Sequence, residues 1–175
     1  MYDRRILVLS FIRGIELFSI SLLVIIIPVF ISDQIIIEHL LSQTIFNINI
    51  TEEILVGIAL SMSLIISSFA TPIFGIISDK IKRPKRMIYV GFSILLFSTP
   101  LYLIIESYYS VLALRSIQGI AGAIIVPVAL SMINSYSESK KGESFGIYNT
   151  IRLIGFGIGP IVAGFISVIG EYPDP

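Results

Sequence analysis

The chain has 175 residues, 55% of them apolar and only 14% charged, with a mean hydropathy of +0.93, whereas an ordinary soluble domain is roughly 45–50% apolar and about 25% charged. That balance argues against a soluble globular domain. Twelve basic and twelve acidic residues leave no net charge and no basic face for a nucleic acid, and with no cysteine and one histidine, His39, there is little material for disulfides, thiolate metal sites or imidazole chemistry.

Five apolar runs follow in chain order: Ile6–Ile31, Ile54–Ile77, Met87–Ile105, Val111–Ile133 and Phe145–Ile169. Each is near or above the roughly 20 residues that a helix needs to cross a ~30 Å hydrocarbon layer. The first is longer than the ~7–15 residues of a signal-peptide core and no Ala-x-Ala pattern follows it, so it is expected to stay in the mature chain. Ile, Val and Phe abound, but runs such as Leu22–Ile27 do not alternate polar with apolar residues as barrel strands do. The expected fold is all-α: a polytopic membrane protein with five transmembrane helices, forming one membrane domain over residues 1–175.

The connections differ in charge. Arg4, Arg5, Lys80, Lys82, Arg83, Lys85, Arg86, Lys140 and Lys141 lie before helix one, between helices two and three, and between helices four and five. Residues 32–53, 106–110 and the tail after Ile169 hold no Lys or Arg, but do hold Asp33, Glu38, Glu52, Glu53, Glu106, Glu171 and Asp174. The positive-inside rule therefore predicts a cytoplasmic N-terminus and an external C-terminus. The Lys80–Arg86 cluster could otherwise be a nucleic-acid or acidic-lipid patch, but its place between two spans accounts for it without either.

Arg13, Glu16, Arg115 and Arg152 fall inside the spans. Facing lipid at mid-helix, each would cost at least ~2.5–3.5 kcal/mol, so they are expected to face protein or water. Pro28, Pro72, Pro100, Pro127 and Pro160 place one proline in each span, where each removes a backbone hydrogen bond and invites a kink. Arg13 and Glu16, three apart, share a helix face, as do Arg115 and Gln118.

Residues Gly75 to Arg86 read Gly-Ile-Ile-Ser-Asp-Lys-Ile-Lys-Arg-Pro-Lys-Arg. Gly75 lets another helix come close, and Asp79 at a helix end can attract the positive N-terminus of a neighbour. The fourth span contains Arg115-Ser-Ile-Gln118-Gly119, with Gly119 and Gly122 permitting tight packing. The fifth contains Gly155, Gly159, Pro160, Ala163 and Gly164, with small residues every four positions.

These three strings, in this order and on these spans, resemble the major facilitator superfamily of secondary transporters. Gly75, Asp79, Lys80 and Arg83 are similar to its motif between helices two and three. Lys82 stands where the family usually has glycine, and Pro84 where it usually has a second basic residue. Arg115, Gln118 and Gly119 resemble its fourth-helix motif, and Gly155 to Gly164 its exporter motif, with Ala163 replacing one glycine. The resemblance implies alternating-access transport of a small solute at the plasma membrane, with the fifth-helix motif leaning toward proton-coupled, drug-efflux-like antiport. It also places an opposing half of the transporter among the neighbours of Asp79 and of the fifth-helix face, since the family has twelve helices and five are present here.

Glu16, Arg115, Gln118, Arg152 and Arg13 are the candidate transport and proton-coupling residues. Glu16 is open to two roles, a proton or cation site or a neutralising partner for Arg13 or Arg152. Arg115 is likewise open to coupling or substrate charge on one side and a buried structural ion pair on the other. With no metal-ligand cluster, nucleophile elbow or phosphate loop, neither enzyme activity nor a cofactor is expected. The expected partners are the bilayer, a small solute, protons, and a missing C-terminal half or second copy. The alternative reading is a truncated or split half-transporter serving as a membrane interaction module.

Overall fold

A computed structural model describes residues 4–32, 44–45, 48–49, 51–81, 83–105, 107–137 and 140–170. Residues 33–43, Lys82, Glu106 and the tail from 171, all used in the charge count along the chain, lie outside the described residues. The elements are α1 (Arg4–Ser32), a two-residue antiparallel ladder of β1 (Thr44–Ile45) and β2 (Ile48–Asn49), α2 (Glu52–Lys80), α3 (Pro84–Ser98) with a 3-10 turn (Pro100–Leu103), α4 (Tyr108–Tyr136) and α5 (Lys141–Gly170). All five helical segments expected from the sequence are present, each long and apolar enough to cross a membrane.

The prolines behave differently according to what lies around them. Pro28, Pro72, Pro127 and Pro160 sit within helices that continue past them. Pro100 instead ends the α-helical part of the third span, because Thr99 still donates to Leu95 and the chain then tightens into the 3-10 turn. The Ser98 and Thr99 hydroxyls both donate to the Leu95 carbonyl at this break. Elsewhere Ser10, Ser19, Thr71, Ser116 and Ser137 donate to the carbonyl four residues back, so these hydroxyls are satisfied inside their own helix.

The chain divides into two compact units, Met1–Pro28 with Met132–Pro175, and Val29–Ser131. In the first, α1 runs against α5, and the Arg5 guanidinium lies 5.3 Å from the Tyr136 ring centroid. In the second, α3 and α4 pack through a cluster that includes Leu95, Ala121 and Ile125, and α2 meets α4 where Gly119 approaches Ser63. Buried residues make up 56% of the most apolar stretch of α4 but only 11% of that of α5. The exposed faces carry large apolar side chains such as Phe69, Phe97 and Phe165, as surfaces meeting lipid should.

The turn between α2 and α3 is short, and Pro84 takes the first helical position of α3, where its fixed φ and missing N–H cost nothing. With 29 residues, α2 is roughly 43 Å long and exceeds the hydrocarbon thickness, so its ends reach the interfaces. Glu52 and Lys80 are exposed at opposite ends of this helix, whereas Ser78 is buried. In the cysteine-free chain, Glu52→Cys should be labelled by an impermeant maleimide on intact cells, and Lys80→Cys only after permeabilisation. Equal labelling of both from outside contradicts the expected orientation.

Candidate functional site

In the unit of α1 and α5, the helices meet through glycine. A methyl group at Gly155 would lie 2.8 Å from the Gly14 carbonyl carbon and 2.9 Å from its Cα, and one at Gly14 would lie 3.1 Å from the Ile151 carbonyl oxygen. Real side-chain carbons do not sit as close as the Gly155 distances, and at Gly14 one would force its neighbour aside, so the two backbones touch here for want of a side chain at Gly155. One turn further on, a methyl group at Gly159 would meet the Phe18 carbonyl oxygen at 2.9 Å and the Ser21 side chain. The face of Gly155, Gly159 and the buried Ala163 is thus met, among the described residues, by α1. Pro160 follows Gly159 in the same helix and Gly164 lies beyond them, half-buried.

This contact brings charges together. Arg13 and Glu16 flank Gly14, and Arg152 precedes Gly155 by three residues. Arg13 Nη1 donates to Glu16 Oε2 in a pair whose residues are only 3% and 2% exposed. Arg152 lies within electrostatic reach of the same carboxylate. The Nε atoms of Arg13 and Arg152 are both buried without a hydrogen-bond partner. The cluster is therefore one buried ion pair within α1 with the half-buried Arg152 nearby, and both arginines have an Nε donor to spare.

In the unit of α2, α3 and α4, Arg115 is also buried but meets backbone. Its Nε donates to the Ala59 carbonyl at 3.2 Å, its Nη2 to the Leu60 carbonyl at 3.1 Å and its Nη1 to Gln118 Oε1 at 3.2 Å. The Tyr102 hydroxyl also donates to Gln118 Oε1, at 3.3 Å. Gly119 provides the approach that Arg115 needs, since a methyl group there would lie 2.5 Å from the Ser63 carbonyl oxygen. Tyr108 adds a hydroxyl bond to the Leu55 carbonyl at 2.9 Å. Tyr102 and Tyr108 were not singled out from the sequence, where nothing separates them from other aromatic residues near a membrane interface.

The residues of the connecting motif lie at the surface. Gly75 is half-buried in α2, and Asp79, Lys80 and Arg83 are exposed. Asp79 occupies the last turn of α2, the end at which the dipole of its own helix disfavours a negative charge.

The family model of the Major Facilitator Superfamily matches residues 9–173. An uncharacterised MFS-type transporter of Methanocaldococcus jannaschii is 34% identical over 116 residues, which cover 62% of this chain and 30% of that protein. The multi-drug resistance efflux pump PmrA of Streptococcus pneumoniae is 27% identical over 111 residues, covering 63% and 28%. Multidrug resistance protein 3 of Bacillus subtilis is 28% identical over 97 residues, covering 55% and 19%. The matched segment thus spans less than a third of each of these relatives.

The glycine contacts make a direct prediction. Gly155→Ala should lower stability by about 1–3 kcal/mol through overpacking against α1. Gly157→Ala, which opens onto free space, should be neutral or stabilising by up to about 1 kcal/mol. Thermal unfolding followed by circular dichroism in detergent reads both, and equal effects of the two substitutions contradict the contact.

Proposed function

Since the chain belongs to the Major Facilitator Superfamily, we propose that it is the N-terminal portion of a secondary transporter that exports a small solute in exchange for protons by alternating access. It is a multi-pass integral protein of the plasma membrane. The observation that carries the reading is the buried Glu16 carboxylate paired to Arg13 beside Arg152. Glu16 is held by Arg13 within α1, and Arg152 on α5 lies within electrostatic reach of it. Widening the contact between α1 and α5 draws Arg152 away from that carboxylate and so couples its proton occupancy to helix position.

In this proposal Glu16 is the proton site, Arg13 and Arg152 set its charge state, and Arg115 with Gln118 forms a second polar point on α4. The N-terminus lies in the cytoplasm. Asp79 meets the N-terminus of a helix from the opposing half, where its charge is favoured, and Gly75, Lys80 and Arg83 shape that hinge. The export direction is supported by the similarity to the pneumococcal multi-drug resistance efflux pump.

The test uses the intact transporter containing this segment, reconstituted in liposomes with ethidium as the probe. Glu16→Gln should reduce ethidium flux driven by a pH gradient about tenfold or more, while ethidium exchange without a gradient persists. Unchanged gradient-driven flux overturns the proposal. Loss of both fluxes likewise overturns it, whatever the unfolding temperature, which loss of the ion pair is itself expected to lower.

A further inference from the structure

We propose that the groove between α3 and α4 binds one anionic glycerophospholipid, its acyl chain along the groove and its phosphate beside Lys85 and Arg86. The proposal stands apart from the transport reading.

The groove follows from how the two helices meet. A methyl group at Gly91 would lie 3.1 Å from the Ala121 carbonyl oxygen, so α3 and α4 are drawn together there, with Leu95 and Ile125 buried in the seam. Beside that seam, Tyr89, Val90, Ile94, Phe97 and Leu101 face Ile117 across an open apolar groove of about 510 Å³. Among the described residues nothing closes its walls, and Phe97 is 74% exposed. The change from α-helix to 3-10 turn at Pro100 places Leu101 at its far end.

Length and charge select the occupant. From Tyr89 to Leu101 the helix rises roughly 18 Å, close to the ~15 Å of hydrocarbon in one leaflet, so the groove suits a single acyl chain. Lys85 and Arg86 are exposed within one turn before Tyr89, and no Lys or Arg occurs from Met87 to Leu114. The groove is therefore cationic at one end only, and Tyr89 sits at that end, where an aromatic ring with a hydroxyl suits the headgroup level. Cationic side chains beside an apolar surface favour anionic over zwitterionic headgroups.

The chain has no tryptophan, so Phe97→Trp installs a single reporter in the groove. The protein is reconstituted in phosphatidylcholine bilayers containing either dibrominated phosphatidylglycerol or dibrominated phosphatidylcholine, and quenching is followed against mole fraction. Brominated phosphatidylglycerol should quench with an apparent affinity about fivefold or more above that of brominated phosphatidylcholine. Adding Lys85→Gln and Arg86→Gln should abolish that preference, and a separate reporter on α2, Phe69→Trp, should show none. Tyr89→Trp gives the same reading at the other end of the groove if Phe97→Trp does not fold. Equal quenching by the two lipids overturns the proposal, as does a preference that survives loss of both charges. Protection from both lipids also overturns it, because a second copy or another protein segment then covers the groove.

Discussion

The contact of α1 with α5 at Gly14 and Gly155 organises the charged interior of this chain. In a bilayer, apolar side chains gain little by leaving lipid for one another, so helices associate through close packing and polar pairing. Gly14 and Gly155 supply the packing, and the neighbours they bring with them supply the polar pair. Arg13 and Glu16 flank the first glycine and Arg152 lies one turn from the second, so the glycine contact and the ion pair form one interface. The pair itself lies within α1, so separating the helices would leave it formed but expose it, together with Arg152, to hydrocarbon or water. The contact is thus a stabilising element that also covers the charged residues of α1.

The second unit applies the same principle with a different acceptor. Gly119 brings α4 to the Ser63 carbonyl, and Arg115 uses the approach to donate to the backbone oxygens of Ala59 and Leu60. Those carbonyls carry a second lone pair beyond the helical hydrogen bond, so the guanidinium finds acceptors without an acid. Of the two roles open to Arg115, this arrangement bears on the structural one in an unexpected form: the arginine ties α4 to α2 through backbone. Gln118, held by Arg115 and Tyr102 together, completes a small network whose hydrogen bonds span α2, α4 and the 3-10 turn.

The helices were legible because the bilayer demands a length and a composition that few other structures share, and the positions of Arg13, Glu16, Arg115 and Gln118 were legible from helical spacing. The surroundings of those residues were less so. That Gly155 and Gly159 lie against α1 follows from a match between two small-residue faces, and a single glycine at position 14 gives little hint of it. The prolines look alike in sequence, yet only Pro100 ends its α-helix, at a site where two hydroxyls compete for the Leu95 carbonyl. Tyr102 and Tyr108 join polar networks through contacts distant along the chain, for which no local pattern exists.

The central claim is that Arg13 and Glu16 form an energetically coupled buried pair. A double-mutant cycle with Arg13→Gln, Glu16→Gln and the combined variant, read as unfolding free energy in detergent, tests it most directly. Removing either partner alone should cost about 3–5 kcal/mol by leaving a buried charge uncompensated. The double variant should cost less than the sum of the two by a coupling on the order of 2–3 kcal/mol. Strictly additive losses would contradict the account.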